Sequence, residues 1–64
     1  MLMDFGSALK GLMFGHKMRL RSWPEGNYIY FKDGQFEQHI EGHGDRPLNE
    51  LSSKDILSVD WEIV

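Results

Sequence analysis

Three basic residues and a tryptophan at alternate positions could bind a phosphorylated ligand. They are Lys17, Arg19, Arg21 and Trp23. Alternate residues of an extended strand point to one face, so these side chains would share a surface. A guanidinium group matches phosphate oxygens bidentately, and an indole ring can stack on a base. The residue types leave two interpretations open, a site for a small nucleotide-like ligand and a solvated strand face.

A second group of residues has the composition of a metal site without its spacing. His39 and His43 flank Glu41, and Asp45 follows. A strand that runs into a glycine-rich loop does not fix ligand geometry in the way that one turn of a helix does. We therefore expect solvated histidines and neither a metal ion nor a cofactor.

The residues that could act in catalysis lack a catalytic arrangement. Serine, histidine and acidic residues are present, but no spacing places a nucleophile beside a base. No glycine-rich loop joins a strand to a helix in the order that cradles phosphate. We therefore expect a binding protein and not an enzyme.

Length and composition predict one small domain over residues 1–64. The chain has 64 residues, of which 41% are hydrophobic and none is cysteine, so disulfides and thiolate metal sites are excluded. Its net charge of −3 argues against a duplex nucleic-acid partner. Neither a signal-peptide pattern nor an apolar run of roughly 18 residues is visible, which favours a cytoplasmic protein without membrane contact. A core this small makes oligomerisation the expected source of further stability.

An N-terminal helix is predicted over residues 4–15. Its apolar residues follow helical spacing and form one stripe: Phe5, Ala8, Leu9, Leu12 and Met13. Asp4 is a typical N-cap, and Gly15 is a typical residue for the left-handed exit from a helix. A helix this short rarely persists alone in water, so we expect a sheet to hold it.

The middle of the chain predicts antiparallel strands. Residues 16–21 alternate, with Met18 and Leu20 facing the core. Residues 28–31 and 36–40 form a hairpin around Asp33-Gly34, a strong hairpin signal. A two-residue loop assigns one face of the hairpin to the core, with Ile29, Phe31, Phe36 and Ile40. The other face, with Tyr28, Tyr30, Glu37 and His39, suits a subunit contact, a ligand or ordinary half-exposure.

The rest of the chain predicts a loop, a helical turn and a last strand. Residues 41–47 contain two glycines and a proline and indicate a loop. Ser52 and Ser53 can cap a helical turn that ends at Leu57, and residues 58–64 alternate like a strand, with Val59, Trp61 and Ile63 on a buried face. The predicted fold class is α+β: a small antiparallel β-sheet packed against one N-terminal α-helix, with a short helical turn before the last strand.

Several short motifs resemble one known family. In chain order they are MDFGSAL at residues 3–9, GHK at 15–17, RSW at 21–23, YIY at 28–30 and DILSVDWE at 55–62. They resemble the second type of Thoeris anti-defence protein, a family of small phage and prophage proteins. The likeness covers residues 4–31 and 55–63, and the opening and closing blocks together are its most specific part. The chain departs from the family pattern in the turn that follows Trp23 and in a short stretch before the last helical turn.

The resemblance implies a phage anti-defence sponge in the cytoplasm of the infected bacterial host. Such proteins bind a cyclic ADP-ribose isomer, and some bind cyclic oligonucleotides, without cleaving them. They are homotetramers with ligand pockets between subunits, so this chain is expected to be a homotetramer or a dimer. The motif positions suggest four ligand-binding residues: Phe5, Trp23, Asp60 and Trp61. The residue types add three neighbouring candidates: Arg19, Arg21 and Asn27.

Two points stay open at the level of sequence. Trp61 alternates with Val59 and Ile63, so it can equally be a pure core residue. The aromatic face that carries Tyr28 and Tyr30 also suits a different function, a protein–protein interaction module that inhibits a host protein.

Overall fold

The computed structural model describes all 64 residues and shows two helices and five strands. The helices are α1 (Phe5–Met13) and α2 (Ser53–Leu57). The strands are β1 (Met18–Leu20), β2 (Tyr28–Lys32), β3 (Gln35–Ile40), β4 (Gly44–Pro47) and β5 (Trp61–Ile63). They form one antiparallel sheet in the order β4-β3-β2-β1-β5. The predicted α+β class is confirmed. Neither helix has the length and apolar character that crossing a membrane requires.

Both predicted ends of α1 are confirmed by their hydrogen bonds. The Asp4 carboxylate accepts the Ser7 backbone N–H at 2.9 Å, which lowers the pKa of Asp4. At the other end, the N–H groups of Gly15 and His16 donate to the carbonyls of Leu12 and Gly11 at 3.0 and 2.9 Å. This pair of bonds is a Schellman motif, and the φ of +94° at Gly15 is the left-handed conformation that the motif requires.

The β2–β3 hairpin has the predicted register. Phe31 pairs with Phe36 and Tyr28 pairs with His39. Asp33 and Gly34 have φ values of +53° and +82°, as a type I′ turn requires at both central positions. The turn therefore sets which side chains of the hairpin face α1.

Six residues form the buried core between α1 and the sheet. They are Ala8, Leu12, Met18, Leu20, Ile29 and Trp61. Three residues that were predicted to be buried are instead exposed: Met13 by 61%, Val59 by 71% and Ile63 by 52%. Met13 lies at the margin of the helical stripe, Val59 precedes β5, and Ile63 lies on a strand with no complete strand on its outer side.

The predicted loop over residues 41–47 is partly wrong, because residues 44–47 form β4. Asp45 pairs with His39 and Gly44 pairs with Ile40. The connecting turn is closed by the His43 N–H donating to the Ile40 carbonyl at 2.9 Å, with a φ of +84° at Gly42. Pairing satisfies backbone groups on the outer edge of β3, which outweighs the low strand propensity of the β4 residues.

Candidate functional site

The two faces of the sheet carry different aromatic groups, and the face under α1 holds the two tryptophans. Trp61 is fully buried, and its ring centroid lies 5.4 Å from that of Phe5 and 5.4 Å from that of Trp23. Its indole Nε1–H donates to the Asp55 carbonyl at 3.0 Å. We call Phe5, Trp23 and Trp61 the aromatic cluster. Its central ring is a core group with no surface open to a ligand.

The expectation that Trp23 shares a face with the strand cations is wrong. Strand β1 ends at Leu20, and the Trp23 N–H donates to the Leu20 carbonyl at 3.0 Å in a turn. The alternation of a strand therefore does not extend to Trp23, whose ring packs against Trp61 on the covered side. Arg21 also lies beyond β1 and is exposed, and its N–H donates to the Asp60 carbonyl at 3.1 Å.

The opposite face of the sheet contains an open cleft of about 430 Å³. It lies where the β1–β2 loop approaches the β3–β4 turn. Its lining residues are Arg19, Glu25, Gly26, Asn27, Tyr28, Glu41 and Val64. Of the seven residues predicted to bind a ligand, the cleft therefore brings together Arg19 and Asn27.

The walls of the cleft are tied together through Asn27. The Asn27 N–H donates to the Pro24 carbonyl at 3.2 Å, and Gly26 has a φ of +89°, which defines a type II turn. The Asn27 Oδ1 accepts the Glu41 N–H at 3.0 Å, so this turn is joined to the β3–β4 turn. A Cβ at position 26 would lie 2.9 Å from the Glu41 Cβ, which leaves room only for glycine.

Arg19 forms the floor of the cleft with its guanidinium largely engaged inside the protein. One terminal nitrogen, Nη1, lies 3.7 Å from Glu62 Oε2, and the other, Nη2, donates to the Trp23 carbonyl. The Arg19 Nε is buried and has no hydrogen-bond partner, and the side chain is 16% exposed. The positive charge is thus fixed in position and offset by a neighbouring carboxylate.

Next to the cleft, a cluster of polar and aromatic side chains connects three strands. The Tyr28 ring stacks on His39 at 4.8 Å between centroids, and the Lys17 Nζ lies 5.0 Å from the Tyr28 centroid. On β4, Asp45 accepts the Tyr30 hydroxyl and contacts the His39 Nδ1. The prediction of a simply solvated His39 is therefore wrong, because its ring is held from two sides.

The contacts of Asp45 shift two pKa values. The hydrogen bond from Tyr30, followed by the contact with His39, lowers the pKa of Asp45. Donation to this carboxylate, with burial and nearby negative charges, raises the pKa of Tyr30 to about 12. Both shifts favour the charged carboxylate and the neutral phenol, which keeps the β4 contact intact at neutral pH.

Sequence reasoning missed Glu25, Gly26, Glu41 and the role of Asp45. The sequence predicts a loop around Glu41 and Asp45, and nothing in a single loop sequence says which turn it faces. The turn signals at Gly26 and Gly42 indicate that both connections are tight, and this is the one available hint that they could meet. No group of three or more His, Cys, Asp or Glu side chains is placed to hold a metal ion.

Comparison with known proteins identifies one family. A family model described as Tad2-like, the Thoeris anti-defense 2-like domain, matches residues 3–64. A search of curated proteins finds no match to the chain.

Proposed function

Because the chain belongs to the Thoeris anti-defence 2-like family, we propose that it sequesters a cyclic nucleotide-derived immune signal without cleaving it. The family match supports a phage anti-defence role. The signal we propose is a cyclic ADP-ribose isomer, with cyclic oligonucleotides as further ligands, and the place of action is the cytoplasm of the infected bacterial host.

The observation that supports this proposal most directly is the cleft on the open face of the sheet, which is the face that α1 does not cover. Its volume of about 430 Å³ falls within the roughly 300–1,000 Å³ of small-molecule sites. Asn27 and Tyr28 provide an amide and an aromatic ring, and two glutamates provide acceptors, above a floor formed by Arg19. These groups hold a ligand by hydrogen bonds and packing, which suits retention of an unaltered molecule.

Self-association into a homotetramer or dimer is part of the proposal. Only six residues are buried within the chain, so little apolar surface is removed from water by a single copy. Several apolar side chains are exposed: Leu2, Met13, Phe14, Leu57, Val59, Ile63 and Val64. Val64 lines the cleft, so a second copy packed there would enclose the ligand more fully. Light scattering at micromolar concentration should show a multimer, and a monomer would contradict this part.

The decisive experiment mixes the protein with the cyclic ADP-ribose isomer and removes unbound material by filtration. Heating the retained fraction should release intact signal in proportion to the protein. A chemically changed product would instead indicate an enzyme. A retained fraction without any signal would contradict sequestration. A heat-denatured sample of the same protein serves as the control for adsorption to the filter.

A second candidate function is inhibition of a host protein through the open face. Tyr28, Tyr30 and Lys17 lie on a sheet face that no helix of the chain covers, and aromatic side chains are enriched at protein interfaces. Affinity purification from host lysate distinguishes the two functions. The sponge recovers no stoichiometric protein, whereas the interaction module does.

A further inference from the structure

The charges around the cleft are predominantly negative. Glu25 and Glu41 line it against the single cation of Arg19. Glu62 lies 3.7 Å from the Arg19 Nη1 and adds a further negative charge beside the floor. Lys17, whose Nζ lies 5.0 Å from the Tyr28 centroid, adds one positive charge, so the negative charges still outnumber the positive ones. A phosphate group would therefore meet more like charge than opposite charge in this site.

Arg19 is also poorly placed to bind phosphate. A bidentate contact needs two parallel N–H groups of the guanidinium to face the ligand. Here Nη2 donates to the Trp23 carbonyl and Nη1 faces Glu62. The internal contacts make Arg19 a positioning residue that holds the turn after β1 against the cleft.

The groups left free in the cleft are mostly acceptors. The two ion pairs of the chain join Arg19 to Glu62 and His39 to Asp45, so the Glu25 and Glu41 carboxylates belong to neither, and each can accept two hydroxyl or amino hydrogens. The Asn27 Oδ1 is occupied by the Glu41 N–H, which leaves the Asn27 amide N–H groups as donors. A carboxylate that accepts from sugar hydroxyls is a recurrent mode of ribose recognition.

We infer that this cleft binds the ribose hydroxyls of a nucleoside and leaves the phosphates outside, with Glu25 and Glu41 as the specificity-determining residues. The inference rests on the proposed function and adds which part of the signal enters the cleft. It differs from the interpretation of the sequence in which the strand cations bind a phosphorylated ligand.

The test is an NMR titration of the isotope-labelled full chain with three probes. Adenosine should shift the amide signals of Gly26, Asn27 and Glu41, because its ribose can donate to both carboxylates. Dideoxyadenosine, which lacks the ribose 2′ and 3′ hydroxyls, and pyrophosphate should leave these signals unchanged. Cleft shifts with pyrophosphate, or equal shifts with adenosine and its dideoxy analogue, would overturn the inference.

Matched variants locate the effect. Glu25→Gln and Glu41→Gln keep the size of the side chain but remove its charge, and each should weaken adenosine binding by about tenfold, the loss expected for one hydrogen bond to a charged group. Glu50→Gln, at an exposed position outside the cleft, should bind like the unchanged chain. If Glu41→Gln fails to fold, Glu25→Gln alone decides, and adenosine binding that neither cleft variant changes would contradict the inference.

The outcome is separable from that of the proposed function. If the chain retains the cyclic signal on a filter but does not bind adenosine, the proposed sequestration stands and the ribose site is contradicted. If the chain binds adenosine in the cleft but retains no signal, the proposed sequestration is contradicted and the ribose site stands.

Discussion

The covered face and the open face of the sheet differ in what holds their side chains in place. On the face covered by α1, Trp61 is fully buried between Phe5 and Trp23. On the open face, Arg19 and Tyr28 line a cleft, and their neighbours are held by hydrogen bonds, ring stacking and ion pairs. Burial of aromatic surface stabilises the first face, whereas polar contacts shape the second.

Two aromatic residues that carry the family resemblance pack against each other on the covered face. Phe5 and Trp61 belong to the blocks at opposite ends of the chain that carry the family resemblance. The structure brings these blocks together, because Met3 pairs with Trp61 through N–H to carbonyl bonds of 2.8 and 3.0 Å. These two blocks therefore help to close this small fold, whereas the cleft is lined mostly by residues of the β1–β2 loop and the β3–β4 turn.

The largest expected effect is the loss of stability when the packing on the covered face is removed. Trp61→Ala should remove about 3–5 kcal/mol of stability, the usual loss for a buried tryptophan. A domain of this length has a total of roughly 3–10 kcal/mol, so the variant should be largely unfolded by circular dichroism at room temperature. Lys54→Ala, at an exposed polar position of α2, should keep the urea midpoint of the unchanged chain. A stable Trp61→Ala chain that only failed to retain ligand would place Trp61 in the binding site after all.

The next effect concerns the wall of the cleft and has a matched control in the hairpin. Gly26 and Gly34 both have positive φ values, +89° and +82°, but only Gly26 has a neighbour within 4 Å of an added Cβ. Gly34→Ala should therefore lower the free energy of unfolding by about 1 kcal/mol, the cost of holding alanine in the left-handed conformation. Gly26→Ala should cost about 1–3 kcal/mol more, because Glu41 must move. Urea denaturation measures both, and equal losses would show that Glu41 moves away freely.

Local sequence signals predicted most of the fold. The caps at Asp4 and Gly15 and the turn at Asp33-Gly34 are determined by residues adjacent in the chain, so each could be predicted and each is confirmed. Strand β4 could not be predicted in this way. Its residues have low strand propensity, and it forms because β3 offers an unpaired edge, which is a property of the assembled sheet.

Only part of the cleft could be predicted from the sequence, for the same reason. The residue types of Arg19 and Asn27, and their place near a turn, predict a binding role, and both line the cleft. Glu41 is 14 residues from Asn27, and their hydrogen bond depends on two connections meeting at one end of the sheet. Strand alternation predicts the wrong face for Trp23, because β1 ends at Leu20.

A smaller effect should follow from separating the two turns of the open face. Asn27→Ala removes the acceptor of the Glu41 N–H and should cost about 1 kcal/mol, the net value of one hydrogen bond. Hydrogen exchange of the Glu41 amide should accelerate by about fivefold, while the amides of α1 keep their rates. Asn49→Ala, at an exposed position outside the cleft, is the control. An unchanged Glu41 rate would mean that the turns are held together by other contacts.

The smallest expected effect on stability lies at Asp45, whose side chain is exposed, but its spectroscopic signature is distinct. The pKa of Tyr30 is raised from 10.0 to about 12, so its contribution to stability is fully present below pH 10 and is lost as the pH rises toward 12. The pKa of Asp45 is lowered from 3.8, so its contribution is present above pH 3.8 and is lost as the pH falls through the folded value. Both contributions are therefore complete at neutral pH.

Asp45→Asn tests this pair, because the amide keeps the shape of the carboxylate but not its charge. An alkaline titration of tyrosinate absorbance should show one tyrosine of the unchanged chain with a pKa near 12, and in the variant that pKa should move toward 10.0. Asp33→Asn removes the same charge from the hairpin turn, where Asn tolerates the φ of +53°, and should leave the late titration in place. If Asp33→Asn shifted the titration as much as Asp45→Asn, general charge would explain the raised pKa. The effect would then not need the Tyr30 hydrogen bond, and β4 would be joined to the open face mainly by its backbone ladder.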